Sequence, residues 1–450
     1  MWRAAFWVAL AGMLIVLNRG DPMSSDDGIV LAGAWDMLLG RTIYRDFFVW
    51  AAPGSFYSVW AAWSLFGASY EVAKALGIAS VLLVAWAIVR IAGLFTTSRS
   101  AYLLAVLHAF MSFTWPIASY NVLSIPFIAW ATYFGARGCI DGRPRSFFFA
   151  GLCSGLGVLY LQHRGIAICG ATALFCTYQA FRSGRSWVRS LAWYALGVTP
   201  CLLLFARWDL SVVIDALLVF PWQRYQPDST HRASPTPYVC VWLLLGGLVW
   251  LQRRRLRVGS AYVLVVQAAL LAMAYRSWDW EHISFSSFPL FASVAQLDWS
   301  AEPSDGRLRR FLVGYAYVFL AGLAVLPTLR KGLAIERVRD VRALPTMRFI
   351  ETHCDGSPYL WAGPFIPGFY FYTRKVNPTR FSLLVARQNR PEHVAEVLAD
   401  LERTPPPCAV LNDRIGSLWH TPDNDVDRFL HEHYAEAHRV GDTAVWVRSR

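Results

Sequence analysis

The stretch GSFYSVWAAWSLFG (54–67) decides how this chain is threaded. It is apolar and aromatic, yet shorter than the ~20 residues that cross a bilayer as a helix. It reads either as a span or as a helix lying in the membrane interface, and the two readings put everything after it on opposite sides. Eleven further apolar runs surround it: 2–17, 71–95, 101–115, 117–136, 146–161, 165–181, 187–206, 237–252, 258–276, 282–298 and 310–328. Charge separates the readings. If 54–67 does not span and the N terminus is cytoplasmic, the cytoplasmic loops hold Arg99; Arg137, Arg143, Arg145; Arg182, Arg185, Arg189; Arg253, Arg254, Arg255, Arg257; and Arg307, Arg309, Arg310. If it spans, all of these fall outside. Basic residues concentrate in cytoplasmic loops, so we expect a multi-pass α-helical membrane protein. It has about eleven transmembrane helices, its N terminus inside the plasma (inner) membrane and its C terminus outside.

Composition agrees with a membrane solvent. Of 450 residues, 56% are hydrophobic and only 16% charged, which excludes a disordered chain and a small disulfide scaffold. The net charge of +12 would suit nucleic acid, but lysine occurs only at Lys74, Lys331 and Lys375. The arginines cluster between apolar runs, so membrane lipids, and no nucleic acid, are the expected partners. LNRGDPMSS after the first run offers no small-x-small cleavage site, so that helix is expected to be retained. Six of the eight cysteines lie in or beside apolar runs and no CxxC occurs. Cys354 and Cys408 lie beyond them, free to pair if the C-terminal part sits in an oxidising compartment.

Two outer segments are too long for connectors: 18–55, and 207–236 with its amphipathic DLSVVIDALLVF. Hydropathy drops after about 330, which divides the chain into a membrane domain (1–330) and an external α/β soluble domain (331–450). Strands are expected at YLWAG (359–363), FSLLVA (381–386), CAVLN (408–412) and TAVWVR (443–448), and helices at 391–403 and 426–434.

The loop 18–55 carries the acids. Asp26 and Asp27 fall close to the outer membrane surface, ahead of an amphipathic helix over 28–39 that Gly40 ends. Helix capping explains Ser25-Asp26-Asp27 as readily as chemistry does. Asp36 lies nine positions past Asp27, on the opposite side of the helix, and reads as solvated surface.

Asp26-Asp27-Gly28, followed by Ala34, Gly40, Tyr44, Asp46-Phe47-Phe48, Pro53-Gly54 and Leu65-Phe66-Gly67, resembles the first-loop pattern of GT-C type glycosyltransferases. More narrowly it is similar to bacterial relatives of protein O-mannosyltransferases and aminoarabinose transferases. Their second acid is Glu where this chain has Asp27, and Ala52 replaces the usual first proline or lysine. GLGVLYLQHRG (155–165) resembles a later family stretch, with Arg164 where Lys is usual. RSWDWEHISFSSFPLF (276–291), GPFIPGFYFYTRKVNPTRF (363–381) and Asn412-Asp413 resemble further segments in the same order.

The resemblance implies a GT-C-like fold that moves a sugar from a polyprenyl-phosphate-linked donor to an acceptor hydroxyl of a glycan, lipid or protein on the outer face. A carboxylate can take the acceptor's proton, so Asp26 is expected as base, with Asp27 as its positioning partner or alternative. Cations near the surface can hold the donor phosphate. Arg164, Arg276 and Arg45 are expected there, with His282 a secondary candidate. The bland readings are snorkelling for Arg164 and Arg276 and a simple ion pair with Asp46 for Arg45. His163 and the intramembrane His108 read equally as hydrogen-bonded bystanders. Glu281 and His282 with Asp26 and Asp27 could chelate a divalent metal, but no metal-ligand spacing supports this, so no cofactor is expected while a metal stays open. GxGxxG and Walker signatures are absent. The competing class is a transporter or flippase for lipid-linked sugars, against which stands the lack of an internal inverted repeat.

Overall fold

The structure is a computed structural model that describes residues 2–18, 25–97, 99–111, 117–183, 187–224, 236–253, 256–274, 280–297, 306–334, 341, 344–384, 389–413 and 425–449. Its first helices are α1 (Trp2–Leu17), α2 (Ser25–Leu38), α3 (Gly54–Phe66), α4 (Tyr70–Ala92), α5 (Ser100–Met111), α6 (Tyr120–Asp141), α7 (Pro144–Tyr160), α8 (Gln162–Ser183) and α9 (Trp187–Leu203). Further long helices cover Thr236–Gln252, Val258–Met273 and Gly306–Ala334. Each apolar run of the sequence is helical through most of its described length. Among the described residues, two helices, Tyr70–Ala92 and Trp187–Arg207, are long and apolar enough to cross a membrane by themselves. Five shorter apolar helices accompany them. The 13 residues of α3 extend about 20 Å.

Local chemistry sets where these helices begin. Ser69 accepts the Val72 N–H at 3.3 Å to cap α4, and Ser119 accepts that of Val122 at 3.4 Å to cap α6. Pro144 opens α7, where its missing N–H costs nothing. Helices α7 and α9 then pack backbone to backbone. Gly151 faces the Tyr194 carbonyl and Gly197 the Phe148 carbonyl, so any larger residue would push the pair apart. On the outside, Val8, Leu174, Phe181, Val188, Leu243 and Val318 are exposed. Apolar side chains all round a helix bundle, with polar groups such as Gln267 and Thr172 inside it, suit a lipid solvent.

The C-terminal residues form a four-stranded sheet in the order β1 (Trp361–Gly363), β2 (Cys408–Asn412), β4 (Thr443–Arg448), β3 (Tyr434–Val440). β1 and β2 are parallel; the other pairs are antiparallel. Helices Pro391–Arg403 and Asp425–His433 lie at the expected places. Two expectations need correcting. Residues 381–384 do not join the sheet: Phe381 bridges Phe48 of the first loop, whose N–H donates to the Arg380 carbonyl at 2.8 Å. β3 is a strand beyond those expected; it lies at the sheet edge, where its charged residues are exposed. Cys354 and Cys408 are disulfide-bonded, joining the end of helix Pro345–His353 to β2.

The tail and the first loop share their cores. One buried cluster combines Ile43, Phe47, Phe48 and Phe56 with Trp361, Phe381, Val397 and Leu401. Another combines Val30, Leu31 and Trp63 with Ile350, Phe369, Tyr370 and Val410. Arg374 donates to the Ala68 carbonyl at 2.7 Å, and Arg390 forms a two-point bridge to Asp215 at 2.6 and 3.0 Å. The sheet is thereby seated on the loop that carries the acids.

Candidate active site

Helix α2 starts at Ser25, so Asp26 and Asp27 occupy its first turn, where the helix dipole favours negative charge. The two acids have different surroundings. Asp27 is fully buried. Its Oδ2 accepts the Tyr70 hydroxyl at 2.9 Å and its Oδ1 the Ala118 N–H at 2.9 Å, so it ties α2 to the start of α4 and to the turn before α6. Asp26 is half-buried, and its Oδ2 accepts from Asn121 Nδ2 at 3.3 Å.

The same asparagine leads to the cation. α7 ends at Tyr160, Leu161 is extended, and α8 restarts at Gln162, which turns Arg164 inward. Arg164 is 3% exposed, which excludes snorkelling to the headgroups. Its Nη1 donates to the Asn121 carbonyl at 3.0 Å and to Ser124 Oγ at 3.3 Å. The buried guanidinium thus reaches the same residue that donates to Asp26, and its hydrogen bonds there offset part of the cost of burying its charge. His163, next in sequence, is in electrostatic reach of both Arg164 and His282. His282 is half-buried in the helix Trp280–Ser286.

Other expected residues stand apart. The Arg45 guanidinium is exposed and grips the Asp46 carboxylate at 3.0 and 2.8 Å and Thr42 Oγ1 at 3.1 Å. This pairing holds the Asp46 carboxyl down at about 2. The structure does not bring Arg45 to the acid pair. Arg276 lies outside the described residues, as does the Glu281 side chain. Among the described residues, no three of His, Cys, Asp and Glu are grouped to hold a metal ion.

Asp36 corrects the sequence reading. It is buried, not solvated, because residues of the tail close over it. Arg41 donates to it at 2.9 Å and reaches on to the Asn377 carbonyl at 3.4 Å. Burial pushes its carboxyl from the usual 3.8 to about 6, against the pull of Arg41. Between those values the folded chain keeps a proton that the unfolded chain releases. Stability therefore falls as pH rises through this window. Asp36→Asn is expected to flatten that slope, as thermal unfolding between pH 4 and 7 would show.

Gly28 makes the roof possible. A Cβ there would lie 2.6 Å from the Gly368 nitrogen and 3.1 Å from its Cα, so the tail's GFYFYT helix rests directly on α2 beside the acids. Gly28→Ala is expected to destabilise the protein by about 1–3 kcal/mol, measured by thermal unfolding.

Comparison with known proteins bears on this arrangement. Residues 51–208 match the family model described as dolichyl-phosphate-mannose-protein mannosyltransferase. The stretch includes Asn121 and Arg164 but neither acid. No curated protein matches the sequence significantly. Among solved structures, ArnT from Cupriavidus metallidurans bound to undecaprenyl phosphate superposes with a TM-score of 0.66 at 15% identity, over 99% of this chain and 97% of the other. The chain has the GT-C fold. The apo state of the same ArnT gives 0.64 at 17% identity over the same shares. The oligosaccharyltransferase from Archaeoglobus fulgidus gives 0.50 at 12%, over 98% of this chain and 73% of that one.

Sequence reading singled out Asp26, Asp27 and Arg164, and the structure links the first turn of α2 to Arg164 through Asn121. It missed Tyr70, Asn121 and Ser124. Their signal was polarity at the start of apolar runs, which in a membrane segment marks function or a specific partner.

Proposed function

We propose that this protein is a glycosyltransferase that moves a sugar from a polyprenyl-phosphate-linked donor to an acceptor hydroxyl on the outer face of the membrane. The observation that carries the reading is the chain Asp26–Asn121–Arg164, a half-open carboxylate joined to a buried guanidinium through one residue. Asp26 takes the proton of the attacking hydroxyl as general base. Arg164, with Arg276 and His282, holds the donor phosphate and offsets its charge as the sugar leaves. A single displacement of this kind inverts the anomeric carbon. Asp27, with both oxygens engaged, is its positioning partner.

Eleven spans, an internal N terminus and an external domain 331–450 complete the reading. The Cys354–Cys408 disulfide supports an oxidising, extracytoplasmic side for the tail. The likeness to an ArnT that binds undecaprenyl phosphate supports a polyprenyl carrier.

The test is transfer of radiolabelled sugar from the polyprenyl-phosphate lipids of the source membrane by purified protein. Arg164→Ala is expected to raise the lipid donor's KM about ten- to a hundred-fold, the worth of a charge-assisted hydrogen bond or two. Acceptor KM should move far less. An unchanged donor KM would remove Arg164 from the phosphate site.

A further inference from the structure

Asn121 stands at the centre of the site without an assigned role. Its side chain is 1% exposed on the first turn of α6. Nδ2 donates to Asp26, while its backbone carbonyl receives Arg164 Nη1 at 3.0 Å and Ser124 Oγ at 2.9 Å. Its Oδ1 is buried with no partner among the described residues. Chemistry requires this orientation of the amide. An ionised carboxylate only accepts, so turning Oδ1 toward Asp26 would set two acceptors against each other.

An asparagine that served packing alone would satisfy both ends of its amide, since buried polar atoms almost always find partners. Among the described residues this one leaves its carbonyl unpaired and commits its N–H to the acid. A leucine of similar volume would bury better there. The residue is therefore kept for what it does to Asp26.

We propose that Asn121 is a positioning residue for the transfer reaction, orienting the Asp26 carboxylate and fixing its separation from the Arg164 guanidinium. The Ser119 cap at 3.4 Å anchors the first turn of α6 on which the asparagine sits. Base and phosphate anchor thus hang from one rigid turn, and a small error in that turn misaligns both. The proposal rests on the reading of Asp26 as base.

The experiment measures labelled-sugar transfer and thermal unfolding of the full chain, using the polyprenyl-phosphate-sugar fraction of the source membranes as donor. Asn121→Leu is expected to lower kcat by about tenfold or more, with the lipid KM changed less than about threefold. Its unfolding midpoint stays level or rises, because the orphaned carbonyl is gone. Asn121→Ser, which restores a short donor, recovers part of kcat. Combined with Asp26→Glu, Asn121→Leu costs less than the product of the two single losses. A lowered midpoint with kcat intact, a loss carried by KM, or losses that multiply would overturn the proposal. Asp26→Asn run alongside separates the two levels. Full activity there removes the base itself, whereas an inactive Asp26→Asn with an independent Asn121 loss removes only this inference.

Discussion

Asp26→Asn is expected to lower sugar transfer by about two to four orders of magnitude, the usual worth of a general base, while leaving yield and thermal stability near those of the wild type. The substitution keeps the shape of the side chain and removes its basicity. Asp26 is half-buried on the first turn of α2, and its contact with Asn121 at 3.3 Å is one that an amide can keep. An amide at position 26 can still turn its oxygen to Asn121 Nδ2. The check is the rate of labelled-sugar transfer at saturating donor, beside a melting curve of the same preparation. Retention of more than a few per cent of the rate would move the base elsewhere.

Asp27→Ala is expected to have the opposite profile: a failure of folding before any failure of chemistry. Removing this fully buried carboxylate takes an acceptor from the Tyr70 hydroxyl and from the Ala118 N–H together. Each buried hydrogen bond lost in this way costs about 1–3 kcal/mol, a large part of the stability of many domains. The junction of α2, α4 and α6 loosens, and with it the turn that leads to Asn121. Membrane yield and the unfolding midpoint measure this. Asp27→Asn, which keeps one acceptor oxygen, should lie between. A stable, fully folded Asp27→Ala protein with no activity would instead make Asp27 the base.

The contrast between the two acids was not visible in the sequence, where they are neighbours in one DDG stretch. Hydropathy exposed the helical bundle, because a bilayer imposes lengths that a linear pattern records. The acid pair and Arg164 were legible for a related reason: charge beside an apolar run is costly and stands out. Asn121 did not stand out. It is one amide among Ser119, Ser124 and Thr132 in an apolar run, and only its neighbours in space give it meaning. The burial of Asp36 was hidden because Asn377 and Thr379 reach its partner Arg41 from more than three hundred residues away. Phe381 read as a strand for want of the same knowledge, since its alternating neighbours suit a sheet but its bridge is to Phe48. Long-range closure of the tail onto the first loop is the common cause.

The central claim is that the acid pair serves sugar transfer rather than passage of a lipid. The measurement that tests it most directly places the purified chain in proteoliposomes with labelled polyprenyl-phosphate sugar and the envelope glycans, lipids and proteins of the source as acceptors. The account predicts a labelled acceptor product that Asp26→Asn fails to make. Label that changes leaflet without forming any product, equally in wild type and Asp26→Asn, would contradict it.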